Sequence, residues 1–177
     1  MNSEQGSLTV IAKILSFVQA VLLAAIFGFF YAYACSVMWG LDLAGGSTAI
    51  RAMNAINTEV RNAVFAPAFF GPLPIGLLTV AFLWFANLKK PAAWFAAALV
   101  VYFLGAFLVT AMGAVPMNRE LLAADIPTDP AEAIEAWNAY STIWQDINWI
   151  RTGFSGLAFL LAAIGIYNLG KQNPLKS

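Results

Sequence analysis

Four long stretches without a single charged residue dominate this sequence. They cover residues 14–41, 62–88, 91–118 and 152–170, and the shortest of them holds 19 residues. A helix needs about 20 apolar residues to cross the hydrocarbon core of a bilayer, so each stretch is long enough for one crossing. The pattern therefore predicts an integral membrane protein with an all-α fold.

We expect a single membrane domain over residues 1–177, built as a bundle of four transmembrane helices. The crossings are predicted at about residues 10–38, 66–88, 91–115 and 149–169. Because Pro67, Pro72 and Pro74 remove backbone donors, the second crossing is expected to begin as a bent segment. Pro116 is expected to end the third crossing for the same reason.

Both long outer loops are predicted to contain amphipathic helical segments. Over residues 49–62, Ile50, Asn57 and Arg61 share one helical face, which is typical of a helix lying on a membrane surface. In the second loop, Asp129 and Pro130 stand as N-cap and first helical residue. The helix that they open is expected to continue without interruption into the fourth crossing.

The charged residues divide between the two ends of the crossings. The lysines all flank one end, whereas every arginine and every acid except Glu4 lies at the other. Because cytoplasmic loops are enriched in Lys and Arg, we interpret the lysine turn at residues 89–90 as cytoplasmic, together with both termini. The compact, alanine-rich chain favours a bacterial inner membrane, with membrane lipids as its constant partners.

Composition excludes several classes of function. Net charge is zero and only 10% of residues are charged, so no basic surface for nucleic acid is expected. The chain has no histidine and no Gly-rich phosphate loop, so we expect neither a metal nor a nucleotide cofactor. Few polar residues interrupt the crossings, which argues against an ion path along the helices.

One face of the predicted last helix combines aromatic rings with an amide and a guanidinium. At steps of three and four it carries Trp137, Tyr140, Trp144, Asn148 and Arg151. Such a face can stack on a planar ring and donate hydrogen bonds to a phenolate or carbonyl oxygen. The alternative is an interfacial aromatic belt in which the guanidinium reaches lipid phosphate.

Two further Asn–Arg pairs lie at the same outer level. They are Asn57 with Arg61 and Asn118 with Arg119. Three such pairs indicate a shared polar pocket at the outer ends of the helices, since ionisable groups at membrane depth usually serve a function. Each pair anchoring its own helix end is the alternative.

Several motifs together resemble the anthrone oxygenase-like family of small four-helix membrane proteins. They are the run from Tyr31 to Met38 with Gly40 and Leu41, the run from Ala52 to Asn57 with Asn62 and Phe65, the run from Val115 to Asn118 with Leu121, and the helical face from Trp137 to Arg151. In fungal members the family implies oxidation of polycyclic anthrones to anthraquinones by molecular oxygen, without a recognised cofactor.

The resemblance implies a cofactor-independent oxygenase acting on a phenolic polycyclic or quinol-like substrate. In that scheme Arg151 and Asn148 stabilise an enolate that reduces oxygen directly, while the substrate ring stacks on Trp144. The expected substrate-binding residues are Tyr33, Asn57, Arg61, Asn118, Trp137 and Tyr140, and the candidate proton acceptors are Asp146 and Glu59.

A different class of function stays open. The same outer face suits a non-catalytic membrane module that binds a quinone-like or lipid ligand, or a partner protein. A third alternative is a small transporter subunit, because Gly105 and Gly113 give one helix a small-residue face on which helices can pair.

Overall fold

The computed structural model describes residues 3–171, and within that range the chain forms helices and no β-strand. About 90% of it is helical, which confirms the predicted all-α fold. The helices are α1 (Ser3–Ala32), α2 (Met38–Leu43), α3 (Gly46–Glu59), α4 (Phe65–Phe70), α5 (Pro72–Phe85), α6 (Lys89–Tyr102), α7 (Val115–Ala123) and α8 (Pro130–Lys171). Wider π-helical segments at Tyr33–Val37, Phe103–Leu108 and Thr110–Ala114 join α1 to α2 and α6 to α7.

Three continuous helices are long and apolar enough to cross a membrane. They extend over Gln5–Leu43, Lys89–Ala123 and Pro130–Lys171, and their length and composition indicate a membrane protein. The segment predicted as the crossing at residues 66–88 is instead divided between α4 and α5. Of these, α5 is apolar but has only 14 residues.

The long helices pack around one apolar core. α8 packs against α1 and α6, and α5 packs against the same two helices. The apolar core consists of Ala12, Ala20, Leu23, Ile26, Phe30, Phe69, Leu83, Ala92, Phe95, Ala98, Tyr102, Ala106, Ala158, Ala162 and Leu169. Its many alanines let helix backbones approach closely, which is how helices associate where lipid removes the hydrophobic driving force.

A second cluster lies beyond the apolar core, at the arginine-bearing end of the helices. This outer core consists of Tyr33, Met38, Ala49, Ile50, Met53, Leu121, Trp137, Tyr140 and Trp144. It forms where α3 packs against α2, α7 and α8. Gly45 adopts a φ of 84°, and Gly46 lies so close to the backbone of Ala133 that a side chain there would collide with it. These two glycines let the chain reverse and lay α3 over α8.

The last helix follows the sequence prediction closely. α8 is uninterrupted, and Asp129 caps it by accepting hydrogen bonds from the backbone N–H groups of Ala131 (2.8 Å) and Glu132 (3.1 Å). This capping satisfies donors that have no partner within a helix.

The expectation that the helix of the third crossing ends at Pro116 is wrong. The helical path continues through Pro116 to Ala123. The reason is the π-helical segment just before it, where the N–H of Val115 bonds to the carbonyl of Thr110, five residues earlier. Because that wider turn shifts the hydrogen-bond register, Pro116 stands in the first turn of α7, where a missing N–H costs little.

The proline-rich start of the second predicted crossing is held by two side chains from neighbouring helices. Tyr102 donates a hydrogen bond to the carbonyl of Phe69 (2.6 Å), and the Gln19 amide donates one to the carbonyl of Pro72 (3.0 Å). Backbone carbonyls need partners where water is excluded. These two bonds therefore fix α4, and α4 forms one wall of the cavity described next.

Candidate functional site

A cavity of about 390 Å³ lies at the junction of the apolar core and the outer core. Its volume falls in the range of small-molecule sites. The lining residues are Phe29, Phe30, Tyr33, Ile56, Asn57, Val60, Arg61, Asn62, Phe65, Ala66, Phe69, Phe70, Thr110, Ala114, Val115, Asn118, Trp144 and Arg151. Most of this surface is apolar and aromatic, and the polar side chains gather toward the outer core.

Arg151 is the central charged group of the cavity. Its side chain is only 4% exposed, and its guanidinium carbon lies 4.6 Å from the ring of Phe30 and 4.8 Å from that of Trp144. It donates one hydrogen bond, to Asn148 Oδ1 (3.0 Å), and its Nε has no partner. No carboxylate within residues 3–171 forms an ion pair with it. A buried cation without a counter-ion is costly, so this position suits a ligand that brings negative charge or an acceptor oxygen.

Asn148 holds Arg151 from behind the cavity wall. Since a guanidinium only donates, Asn148 must turn its oxygen toward Arg151, and its amide nitrogen then donates to the carbonyl of Phe30 (3.0 Å). Asn148 itself does not line the cavity. Its side chain is fully occupied in orienting the guanidinium.

Asn118 is the hub of a second hydrogen-bond network. Its Oδ1 accepts from Tyr140 Oη (2.8 Å) and from Trp144 Nε1 (2.9 Å), while its Nδ2 donates to Asn57 Oδ1 (2.9 Å). The indole N–H of Trp144 can only donate, so it determines which way the Asn118 amide faces. Asn118 in turn determines the orientation of Asn57.

The amide nitrogen of Asn57 is the free end of that network. It is buried and has no hydrogen-bond partner, although Asn57 lines the cavity. Together with Arg151 Nε, it gives the polar end of the cavity two buried donors that no protein acceptor satisfies. An unsatisfied buried donor costs about 1–3 kcal/mol, which a ligand oxygen would recover.

Tyr33 adds a hydroxyl to the same cavity. Its ring centre lies 5.5 Å from that of Trp144 and 5.1 Å from that of Phe29. The hydroxyl makes no hydrogen bond with any residue in the part of the chain that the structure describes. Tyr33 belongs to a π-helical segment, and so do Thr110 and Ala114 on the other side of the cavity. π-Helical turns are common at functional sites, because they break the regular helical hydrogen bonding.

The predicted aromatic face of α8 is buried in the protein. Trp137, Tyr140, Trp144 and Arg151 are each at most 7% exposed. The lipid-belt interpretation of this face is therefore wrong, because these side chains point toward α1, α3 and α7 rather than outward. Large exposed aromatics lie elsewhere, as at Trp39 and Trp149.

The structure brings six of the nine predicted site residues to the cavity wall. They are Tyr33, Asn57, Arg61, Asn118, Trp144 and Arg151. Arg61 is exposed at the outer rim, and Tyr140 and Asn148 lie one hydrogen bond behind the wall. Trp137 does not line the cavity, and its Nε1 donates instead to Asp42 Oδ1 (2.8 Å).

The two predicted proton acceptors lie away from the cavity. Asp146 and Glu59 are exposed, and neither lines the wall. Sequence reasoning also missed the five phenylalanines of the wall as site residues, at positions 29, 30, 65, 69 and 70. Their signal in the sequence was the density of phenylalanine in two segments that flank the predicted outer surface.

A family model described as anthrone oxygenase matches residues 62–161, more than half of the chain. The chain belongs to the anthrone oxygenase family. The matched segment contains Asn118, Trp144 and Arg151, whereas Tyr33 and Asn57 lie before it. No curated protein and no solved structure matches the chain. Membership agrees with the resemblance of its motifs to that family.

Proposed function

We propose that this anthrone oxygenase family member binds a planar aromatic ligand in the cavity, with an acceptor oxygen of the ligand at the polar end. The observation that carries the proposal is the buried guanidinium of Arg151, which faces an aromatic cavity without a carboxylate to neutralise it. The unpartnered amide N–H of Asn57 supports it, since both groups offer hydrogen bonds and accept none. An enolate or carbonyl oxygen fits such a site better than a neutral hydroxyl does.

The proposed reaction is oxidation of an anthrone-type ring by molecular oxygen. The ring methylene loses one proton to give an enolate, and its carbon bonds to oxygen to form a peroxide, which takes up a proton. Loss of the second proton from that carbon breaks the O–O bond, leaves a carbonyl and releases hydroxide, which becomes water. One anthrone and one dioxygen thus give one anthraquinone and one water.

Each cavity residue has a role in this scheme. Arg151 and Asn57 donate to the oxygen on which the enolate charge accumulates, and stabilising such charge is usually the largest catalytic contribution. Trp144 and Phe30 flank the guanidinium and offer faces for the ring. The hydroxyl of Tyr33 supplies the proton to the peroxide, as a positioned phenol can. Asn148 positions Arg151.

The proposal includes a four-crossing topology. α4 and α5 together extend over residues 65–85, and Gly71 between them keeps a helical φ of −57°. That length is close to one crossing of the hydrocarbon core. In this topology the lysine-bearing ends and both termini are cytoplasmic, and Arg61 marks the outer rim of the cavity.

A second candidate function is ligand binding without turnover. It is favoured by the absence of Asp and Glu from the described residues that line the cavity. Without a carboxylate base, an anthrone would have to lose its proton to water, because the Tyr33 hydroxyl already carries a proton. A module that carries quinones or lipids needs no such base.

An oxygen electrode distinguishes the two functions. Purified protein in lipid nanodiscs is mixed with anthrone, and oxygen uptake is recorded with anthraquinone formation. The oxygenase predicts equimolar oxygen uptake and quinone formation above the uncatalysed rate, and a loss of that excess in Arg151→Met. Saturable binding of anthraquinone with no excess oxygen uptake would favour the carrier. Activity abolished by a chelator would contradict the cofactor-free scheme.

A further inference from the structure

A continuous series of aromatic rings connects the surface of the apolar region with the cavity. Phe103 stacks on Phe107 (5.9 Å between ring centres), Phe107 on Phe69 (5.5 Å) and Phe69 on Phe65 (5.4 Å), with interplanar angles of 15° to 25°. Phe65 then contacts Phe29 (5.0 Å), whose ring contacts Tyr33 in the cavity. We call these five phenylalanines the ring series.

The end of the ring series that lies farthest from the cavity is exposed. Phe103 is 39% exposed, and Phe70, whose ring contacts those of Phe69 and Phe107, is 54% exposed and also lines the cavity. Phe107 precedes the charged residue Arg119 by twelve positions, which corresponds to about 18 Å along a helix. In the four-crossing topology this end therefore faces hydrocarbon, well below the polar surface.

A seam lies beside Phe70, between α4 and the π-helical segment Thr110–Ala114. Side chains close this seam more than close packing of the helix backbones does. α4 packs against α1 and α5, whereas its backbone stays farther from the π-helical segments across the cavity. The facing wall positions are small, namely Ala66 on α4 and Thr110 and Ala114 opposite it. The rings of Phe69 (5.5 Å) and Phe70 (6.1 Å) both reach Phe107 at this seam, and of the two Phe69 is buried whereas Phe70 is exposed. Rotation of Phe70 would therefore widen the exposed side of the seam without moving a helix.

We infer that the aromatic ligand enters the cavity sideways from the bilayer, through a portal between α4 and the Thr110–Ala114 segment that Phe70 gates. The ligand class is an uncharged, planar polycyclic ketone dissolved in the membrane. Its ring passes Phe70 and then the wall residues Phe69 and Phe65, and its oxygen leads toward Arg151. This route rests on the proposed function, because it presupposes that such a ligand binds in the cavity.

The portal is tested by blocking it. In a Cys35→Ser background, Phe70→Cys is labelled with a bulky maleimide in detergent and then reconstituted into nanodiscs. Stopped-flow quenching of tryptophan fluorescence by anthraquinone gives the association and dissociation rates, and each labelled protein is compared with its unlabelled form. Val64→Cys, which is 87% exposed between the wall residues Asn62 and Phe65 but does not itself line the cavity, receives the same label, and so does Leu104→Cys, an exposed residue outside the cavity lining.

A gate changes rates without changing affinity. The label at position 70 should slow association and dissociation together, each by roughly tenfold or more, and leave the equilibrium affinity unchanged. The label at position 64 or 104 should change neither rate. Because Phe70→Cys also removes a ring contact, Thr110→Cys on the opposite wall repeats the measurement and should behave alike.

The outcomes separate the route from the function. Slowing by the label at position 64, but not at 70 or 110, would mean entrance from the aqueous side and would overturn the portal while leaving the binding site intact. Equal rates for all labelled proteins would overturn it too. If unlabelled protein with the natural Phe70 fails to bind anthraquinone, the proposed function itself fails, and the portal with it.

Discussion

The apolar core and the outer core are held together by different kinds of contact. In the apolar core, Ser16 and Thr79 bond to carbonyls of their own helices (2.7 Å each), and helices meet through alanine, glycine and phenylalanine. In the outer core, side chains from different helices bond to one another, with Asn118 joining α3, α7 and α8. The apolar core is fitted mainly by shape, and its bonds between helices run from the side chains of Tyr102 and Gln19 to backbone carbonyls, whereas the outer core is held by bonds between side chains.

This difference explains where a reactive site can form. Packing by shape places few polar side chains where a ligand could reach them, whereas a network of directed bonds fixes each amide and can leave a donor without a partner at the cavity. The cavity lies on the boundary, where Phe30 belongs to the apolar core and Trp144 to the outer core. An aromatic ring can therefore stay on the apolar side while its oxygen reaches the polar side.

The largest expected effect follows from removing the buried charge. Arg151→Met should lower anthrone turnover by about 10²–10³-fold, because it removes the main donor to the developing enolate. Arg151→Lys should also lose most activity, since a point charge does not reproduce the planar donor array that Asn148 and the flanking rings orient. Initial rates of anthraquinone formation measure both effects.

The same substitution should leave the fold intact. Arg151 forms no ion pair with the described residues, so removing its buried charge should offset the loss of its hydrogen bond to Asn148, and the thermal unfolding midpoint should change little. Unchanged turnover in Arg151→Met would remove the guanidinium from the reaction. If Arg151→Met instead lowered both the unfolding midpoint and the activity strongly, Arg151 would be a structural residue of the outer core.

A smaller effect is expected from a substitution that exchanges donor and acceptor in the hydrogen-bond network of Asn118. In Asn118→Asp, the carboxylate still accepts from Tyr140 and Trp144, but its other oxygen now requires a donor from Asn57. The Asn57 amide should therefore turn its N–H toward Asp and its oxygen toward the cavity. Affinity for anthraquinone should fall by at least about tenfold, because the N–H donor of Asn57 is replaced by an acceptor that faces the ligand oxygen.

Tryptophan fluorescence quenching by anthraquinone measures that loss. Asn118→Leu is the informative companion, since it leaves Tyr140 and Trp144 without an acceptor and should destabilise the protein by about 1–3 kcal/mol for each group left unsatisfied. Full affinity in Asn118→Asp would show that the orientation of Asn57 does not matter to the ligand.

Sequence periodicity predicted which residues share one face of α8. It did not predict where each of them lies along the helix axis relative to the cavity. Trp137 and Trp144 share that face, yet seven residues separate them by about 10 Å along the helix axis. Trp144 consequently lines the cavity while Trp137 reaches Asp42. Spacing within one helix defines a direction, and only the packing of the other helices decides which level becomes a cavity.

Predictions from local sequence signals were also wrong where a distant or non-standard hydrogen bond compensates for a missing helical one. Pro116 carries the usual signal for a helix end, but the bond from Val115 to Thr110 lets the path continue. The only sequence signal for the predicted bases, Asp146 and Glu59, is that they are carboxylates near the arginine-bearing ends of the helices. Neither reaches the cavity, since their helical positions point away from it.

The stability of the apolar core should depend on side-chain volume, whereas that of the outer core should depend on hydrogen-bond donors and acceptors. Gly105 lies against the side chain of Phe154 so closely that an added methyl group would overlap it near its attachment to the backbone. Gly105→Ala should therefore destabilise the protein by about 1–3 kcal/mol, through strain between the Phe103–Leu108 segment and α8. Thermal unfolding in detergent measures the change.

Gly28→Ala is its matched control. Nothing lies within 4 Å of a methyl group added at Gly28, which is exposed within α1. This substitution should be neutral, or stabilising by up to about 1 kcal/mol, because alanine favours the helix more than glycine does. If both substitutions gave the same midpoint, close backbone packing would not be what holds the apolar core together.

The smallest expected effect concerns the edge of the outer core. The Asp42 carboxylate accepts hydrogen bonds from Trp137 Nε1 (2.8 Å) and Gln145 Nε2 (3.1 Å), and so fastens the end of α2 to α8. Asp42→Ala should lower stability by only about 1 kcal/mol, since Asp42 is exposed and water replaces part of each bond. Asp125→Ala removes the same charge from another exposed position and should change the unfolding midpoint less. Equal losses in the two variants would mean that net charge, and not the directed bonds of Asp42, sets the stability of this edge.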